Sequence, residues 1–305
     1  MISGRGAQDR NETVGKHEPF FLLADYLTRN GIAVLRFDDR GVGQSEGTYD
    51  FFTTTKYDIV ADVEAALKFL KTRPEIEKQE IGLIGHSEGG VIAAIVASER
   101  TDVAFVVLLA SPGLNGIESL YFQVELVAKS FGVSESGIEK YQDILHHMSR
   151  ILEEERDREL VTRRIIEMYK ERSSGIEDDE RRALRRIGYS FPEDPDDFAL
   201  IIDSPGWYDF FTYAPEKVFQ LVKCPVLALN GVKDLQVPPN EHLTAIEIAL
   251  EEGGNSDYTI LEVQDVNHMF QTAHTGSPSE YEQIEETISP KVLKEVKEWI
   301  LRHSG

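Results

Sequence analysis

Short apolar runs alternate with amphipathic stretches along much of the chain. Ile32–Phe37, Ile81–Ile84 and Val103–Leu109 are continuous runs rich in branched residues, the pattern of strands buried on both faces. Residues 17–30 carry a helical pattern that ends at Asn30-Gly31, a pair suited to closing a helix. Across Thr55–Lys71, the residues Ile59, Val63, Ala66, Leu67 and Leu70 fall on one helical face. Val91–Ala97 is apolar and mostly small, as a buried helix requires. Late in the chain the alternation returns, with strands predicted at Pro225–Asn230 and Tyr258–Val263 and helices at Pro239–Glu252 and Pro290–Arg302. Strands separated in this way by helices predict an α/β fold, a mostly parallel sheet flanked by helices.

The stretch between the two halves reads differently. Residues 113–215 are mostly helical and highly charged, as in Glu153–Arg164 and Glu177–Arg186, and Phe191–Phe211 is rich in Pro, Asp and aromatics. The expected division is a core of 1–112 and 216–305 with a helical cap inserted at 113–215. The insertion leaves the sheet at the C-terminal end of a strand, where open α/β sheets bind ligands, so it is expected to act as a lid. Trp207, Phe210 and Phe211 are candidates for lining a substrate pocket, with plain packing as the equal alternative.

The 305 residues and 41% hydrophobic content suffice for one large core. A formal charge of −22 argues against nucleic acid or an anionic membrane as partner, because like charges repel at long range. One cysteine, Cys224, excludes an intrachain disulfide. No apolar stretch approaches the roughly 18–20 residues of a membrane helix, and no leader pattern opens the sequence, so a soluble, cytoplasmic protein is expected.

The chemistry concentrates at Gly85-His86-Ser87-Glu88-Gly89. A G-x-S-x-G between a predicted strand and a predicted helix fits a nucleophile elbow, in which Gly tolerates crowding that a Cβ would not. The helix that starts after Ser87 aims free N–H groups where an oxyanion would form. A serine hydroxyl also needs a base, and the base an orienting carboxylate. Asp234 follows the Pro225–Asn230 strand and His268 follows the Tyr258–Val263 strand, each in a loop. His274 is the alternative base and Asp265 the alternative acid, whereas Asp257 precedes its strand. His86 faces the wrong way to serve its neighbour. His146, His147 and His242 are helical, and His17 and His303 lie near the ends. No spacing suggests a metal site, and such a triad needs neither metal nor cofactor. Gly41-Val42-Gly43-Gln44-Ser45-Glu46-Gly47 is not a dinucleotide loop: its third glycine falls one place late and no helix begins there. The expected substrate is a small-molecule carboxylic ester cleaved through an acyl-enzyme. An acyl thioester, a peptide amide, or a catalytically inactive binding role are the alternatives.

Several segments together resemble the α/β-hydrolase superfamily, specifically bacterial serine esterases with a helical cap: Ser3–Glu12, Arg36–Ser45, the elbow, Asn230–Pro238 and Asn267-His268. The resemblance implies Ser87 as nucleophile, His268 as base and Asp234 as its partner. It also implies backbone oxyanion donors at Glu88 and in the first loop, at Arg5 with Gly6 as the alternative. Relatives read Gly-Ser-Gly-Pro where this chain has Gly4-Arg5-Gly6-Ala7. The family fold carries two further strands ahead of this loop, and here only Met1-Ile2-Ser3 stands in their place. That predicts an apolar edge at Ile32–Phe37, covered by a second subunit or by irregular segments of the same chain. Light scattering is expected to show a homo-oligomer if a subunit covers it; a strict monomer with the edge bare would contradict the expectation.

Overall fold

A computed structural model describes residues 1–189, 192 and 194–304; Phe191, at the start of the aromatic segment, lies outside the described residues. The chain divides into two compact units, one of Met1–Asp50, Lys56–Leu114 and Ala214–Gly305, the other of Phe51–Thr55 and Asn115–Tyr213.

In the first unit, α1 (Pro19–Arg29) and α2 (Lys56–Thr72) precede β1 (Leu83–His86), α3 (Glu88–Glu99) and β2 (Val106–Leu109). The second unit holds α4 (Gly116–Ser130), α5 (Glu135–Glu154), α6 (Arg158–Ser173), α7 (Asp178–Arg186), α8 (Pro195–Asp203) and α9 (Pro205–Thr212). The first unit resumes with α10 (Pro215–Phe219), β3 (Val226–Gly231), α11 (Pro239–Glu252), β4 (Tyr258–Val263) and α12 (Pro290–His303).

The four strands form one parallel sheet in the order β1-β2-β3-β4. Register aligns His86 with Leu109 and Leu109 with Leu229, while Gly231 pairs with Val263. Parallel strands share one C-terminal edge, so the loops after β1, β3 and β4 emerge together. β1, β2 and β3 are buried throughout, as their unbroken apolar runs require. Leu23 and Leu27 of α1 and Val292, Val296, Trp299 and Ile300 of α12 join the strand residues in one core. Buried Trp299 donates its indole N–H to Thr259 Oγ1 at 3.0 Å, which satisfies the one polar atom that its burial carries inward.

Ile32–Phe37 departs from the expectation: it is not a strand. A strand exists only where a neighbour takes its backbone groups. Ile2 pairs with β1 as an isolated parallel bridge to Gly85, through Ile2 N–H to Ile84 O at 2.8 Å and His86 N–H to Ile2 O at 3.0 Å. On its other side the Met1 amino group donates to Leu35 O at 2.8 Å. Ahead of this contact, Ile32, Val34 and Leu35 face Ile81–Ile84 across a cleft of about 430 Å³. The expected edge is therefore a cleft between extended segments.

The second unit has a core of its own. Tyr169 stacks on Phe198 with ring centroids 4.3 Å apart, among fully buried Ile144, Leu145, Met148, Ile165 and Ile202. Helices α4, α5 and α6 start at sequence-encoded caps: Asn115 accepts from Ile117 and Glu118, Ser134 from Gly137, and Asp157 from Leu160. Phe51–Thr55 belongs to this unit rather than to the core, tied by Gly206 N–H to Phe52 O at 2.9 Å.

Candidate functional site

The elbow is built from crowding. Ser87 has φ 52° and ψ −125°, in a region L-residues rarely adopt. Its N–H donates to Leu109 O at 2.8 Å, and its carbonyl accepts from Gly90 N–H at 3.0 Å. A Cβ on Gly85 would overlap the Gly89 carbonyl, and one on Gly89 would overlap the carbonyls of Ile2 and Ser3. The two glycines let β1, α3 and the N-terminal segment meet backbone to backbone. α3 opens at Glu88, so the Glu88 N–H is one of the helix's free donors. Behind it α3 is buried on every side, from Gly89 to Ala97, as its small apolar sequence demands.

The loop that follows Ile2 lies against the serine. A Cβ at Gly4 would stand 3.3 Å from Ser87 Cβ, and Arg5 is the next residue. Asp39 and Asp38 brace this loop. Asp39 accepts from Ser3 Oγ at 3.1 Å and from Gln8 N–H at 2.9 Å. Burial pushes its carboxyl up to about 6, against those two hydrogen bonds. Asp38 takes Arg10 through both oxygens, which holds it well below the usual carboxylate range. The glycine loop at 41–47 wraps around Asp38, where a Cβ at Gly43 would meet Asp38 Oδ2 at 2.5 Å. That is a structural reason for the glycine, and the next helix starts only at Lys56.

Asp234 and His268 meet at the same edge of the sheet. Asp234 Oδ1 accepts from the N–H groups of Gln236 and Val237 at 2.8 and 2.9 Å. Its Oδ2 accepts from His268 Nδ1 at 2.8 Å. Both side chains are buried. The carboxylate assigns the proton to Nδ1 and leaves the Nε2 lone pair available. Among the described residues neither Nε2 nor Ser87 Oγ is engaged in a hydrogen bond. The His268 turn is pinned by Asn267, which shares three bonds with Gln271: its N–H donates to Gln271 O at 3.1 Å, its Oδ1 accepts from Gln271 N–H at 2.9 Å, and its Nδ2 donates to Gln271 Oε1 at 3.0 Å. Gly231 lets the Asp234 loop touch this turn, since a Cβ there would overlap Val266 O.

The alternatives lie elsewhere. His274 is exposed. The Asp265 side chain is 62% exposed and pairs with Lys233 at 3.1 Å. Trp207, Phe210 and Phe211 form a cluster within the second unit, with Trp207 stacked on Phe211 at 5.5 Å. Phe210 packs its backbone against Gly116. Among the described residues no cluster of His, Cys, Asp or Glu is arranged for a metal ion, and no helix is long and apolar enough to cross a membrane.

Three residues near Asp234 and His268 are not marked by the sequence. Glu12 and His86 are buried and paired at 2.9 Å. His242 of α11 is fully buried (0% exposed). Its Nδ1 accepts from Gly113 N–H at 3.1 Å, so Nε2 carries the proton and is buried without a partner among the described residues. Nothing in a local motif links Glu12 to a site 74 residues downstream, and His242 looks like any helical histidine.

Burial, aided by His268 and opposed by Asp234, pushes His242 from 6.5 down to about 4. The unfolded chain therefore takes up a proton that the folded one refuses, and stability falls as pH drops through that window. The expected loss is ~3 kcal/mol between the two values. His242→Asn keeps an acceptor for Gly113 but cannot titrate, so its urea midpoint is expected to vary less with pH across this window. Parallel curves for both proteins would contradict the assignment.

Comparison with known proteins agrees with the geometry. The profile of the family Hydrolase_4, described as serine aminopeptidase S33, matches residues 10–164. Esterase EstD of Thermotoga maritima is 24% identical over 304 residues, covering 99% of this chain and 61% of that protein. This chain thus spans less than two thirds of that relative's length. The Pyrococcus furiosus esterase Pf2001 superposes with a TM-score of 0.54 at 15% identity, covering 100% of this chain and 82% of that one. The Paleococcus ferrophilus monoacylglycerol lipase gives 0.50 at 19% identity, with coverages of 96% and 92%. The fold is that of the α/β-hydrolases, and the chain belongs to the Hydrolase_4 family, serine aminopeptidase S33.

Proposed function

We propose that the protein is a serine carboxylic-ester hydrolase acting on small-molecule esters of short to medium acyl length. The observation that carries the proposal is the buried 2.8 Å bond from His268 Nδ1 to Asp234, in loops that share the sheet edge with the Ser87 elbow. In this reading Ser87 Oγ attacks the acyl carbonyl while His268 Nε2 takes its proton. Asp234 holds the tautomer and offsets the imidazolium. The backbone N–H groups of Glu88 and Arg5 stabilise the tetrahedral oxyanion. The intermediate collapses, His268 returns the proton to the departing alcohol, and an acyl-enzyme remains. Water, deprotonated by the same histidine, then releases the acid.

The relationship to an esterase over nearly the whole chain supports ester cleavage. The length preference rests on the helical insertion, since a cap restricts acyl size. Trp207, Phe210 and Phe211 are the residues proposed to contribute to it. The family's description as serine aminopeptidase keeps amide cleavage as a measurable second activity of the same triad.

A panel of esters of graded acyl length, with matched thioester and amide substrates, tests the proposal. The ester activity is expected to dominate and to fall as the acyl chain lengthens. Ser87→Ala is expected to lower kcat by about 10⁴-fold or more. Ester turnover that survives Ser87→Ala would overturn the assignment.

A further inference from the structure

We infer that Glu12 and His86 form a buried, hydrogen-bonded pair that positions the reactive groups: it ties the loop before Arg5, the elbow and the His268 turn into one unit. The inference rests on the reading of Ser87 and His268 given above.

The geometry constrains the protons. Glu12 Oε1 accepts the Gly4 N–H at 2.6 Å and faces His86 Nδ1 at 2.9 Å. The other ring nitrogen, Nε2, faces the His268 carbonyl oxygen at 3.0 Å. A carbonyl cannot donate, so Nε2 carries a proton. Nδ1 faces a carboxylate oxygen, and that bond also needs a proton. A neutral imidazole with an ionised carboxylate supplies only one of the two. The pair therefore holds one proton more and is neutral as a whole, with His86 as the imidazolium of Glu12.

The surroundings favour this arrangement. Glu12 is 3% exposed, and its second oxygen is buried with no hydrogen-bond partner among the described residues, so the adjacent His86 must balance its charge. Phe20, Leu23, Leu109, Met269 and Phe270 line the space beside the pair, and a low dielectric strengthens charge pairing. The titratable groups facing His86 are Glu12 from the N-terminal segment, the His268 ring at 4.8 Å, and Asp234. Burial opposes charge on His86, but Glu12 by charge and hydrogen bond, with the His268 carbonyl and Asp234, raises it above the ordinary histidine value. Glu12 itself sits at φ 53°, a conformation the surrounding contacts must hold in place.

The consequence is mechanical and electrostatic. Gly4 lies beside Ser87, His86 precedes Ser87, and the His268 carbonyl hangs on Nε2. One side chain, Glu12, thus sets the distance between the oxyanion loop and the base. Neither Glu12 nor His86 reaches the reacting atoms, so both are positioning residues. An amide cannot replace the carboxylate, because one atom serves both bonds: an oxygen there leaves neutral His86 unable to serve two acceptors, and an NH₂ there abuts the Gly4 N–H.

The test has two arms. In nitrogen-15 NMR of the wild-type protein with backbone-based assignment, both His86 ring nitrogens are expected to be protonated at about pH 7.5, above the ordinary imidazole range. A neutral His86 pattern would overturn the inference whatever the enzyme's activity. In the second arm, Glu12→Gln is expected to lower kcat about 10-fold or more with KM within about twofold. It is also expected to move the acidic limb of the kcat/KM profile to higher pH, because a positive charge beside the base is lost. A folded Glu12→Gln enzyme with wild-type kcat and pH profile would also overturn it. Ser87→Ala in the same assay separates the two readings: loss of turnover there with no effect of Glu12→Gln leaves the esterase reading standing and removes this one.

Discussion

Backbone crowding at the elbow is the constraint on which the rest of the site depends. Gly85 and Gly89 are in contact, Gly89 abuts the carbonyls of Ile2 and Ser3, and Ser87 is held between them at positive φ. These approaches fix three things at once. They set the exit of β1, the start of α3 with its free Glu88 N–H, and the position of the loop that carries Gly4 and Arg5. A methyl group at either glycine would have to move main chain, which a close-packed interior resists. The strain at Ser87 persists because Leu109, Gly90 and Ile2 take the backbone bonds on all sides.

Around that scaffold the buried polar groups divide by what compensates them. Asp234 is satisfied by two backbone N–H groups and by His268. Asp39 has fewer donors, and burial raises it, so it braces the N-terminal loop at an electrostatic cost. His242 avoids the cost by staying neutral. Each solution follows from the same rule: a buried charge needs either a partner or enough donors, and otherwise it loses its charge.

Much of this was legible in the sequence. The apolar runs at Ile81–Ile84, Val103–Leu109 and Pro225–Asn230 lead into strands buried throughout, because in a doubly covered parallel sheet burial and strand formation are the same signal; Tyr258–Val263 also forms a strand, although only Val263 of it is buried. Ser87, Asp234 and His268 could be read because each sits at a strand's end, and local patterns mark strand ends. Ile32–Phe37 had an equally good pattern and is not a strand. Composition shows that a segment would bury well, but pairing depends on a neighbour that takes its backbone groups, which composition does not reveal. Phe51–Thr55 falls inside the expected core range 1–112 but groups with Asn115–Tyr213, where Gly206 N–H bonds to Phe52 O, a long-range contact that local sequence does not mark. Glu12 and His86 were invisible for a related reason: their meeting is a product of the sheet's closure and has no local spacing. His86 points away from Ser87 toward Glu12 and the His268 carbonyl, partners that no local spacing marks.

The central claim is that Ser87 is a nucleophile activated by His268 and Asp234. Intact-protein mass spectrometry after brief exposure to a fluorophosphonate measures this most directly, followed by peptide mapping. The account predicts a single adduct on Ser87, absent from Ser87→Ala and formed far more slowly by His268→Ala. An unlabelled wild-type protein, or an adduct that persists in Ser87→Ala, would contradict it.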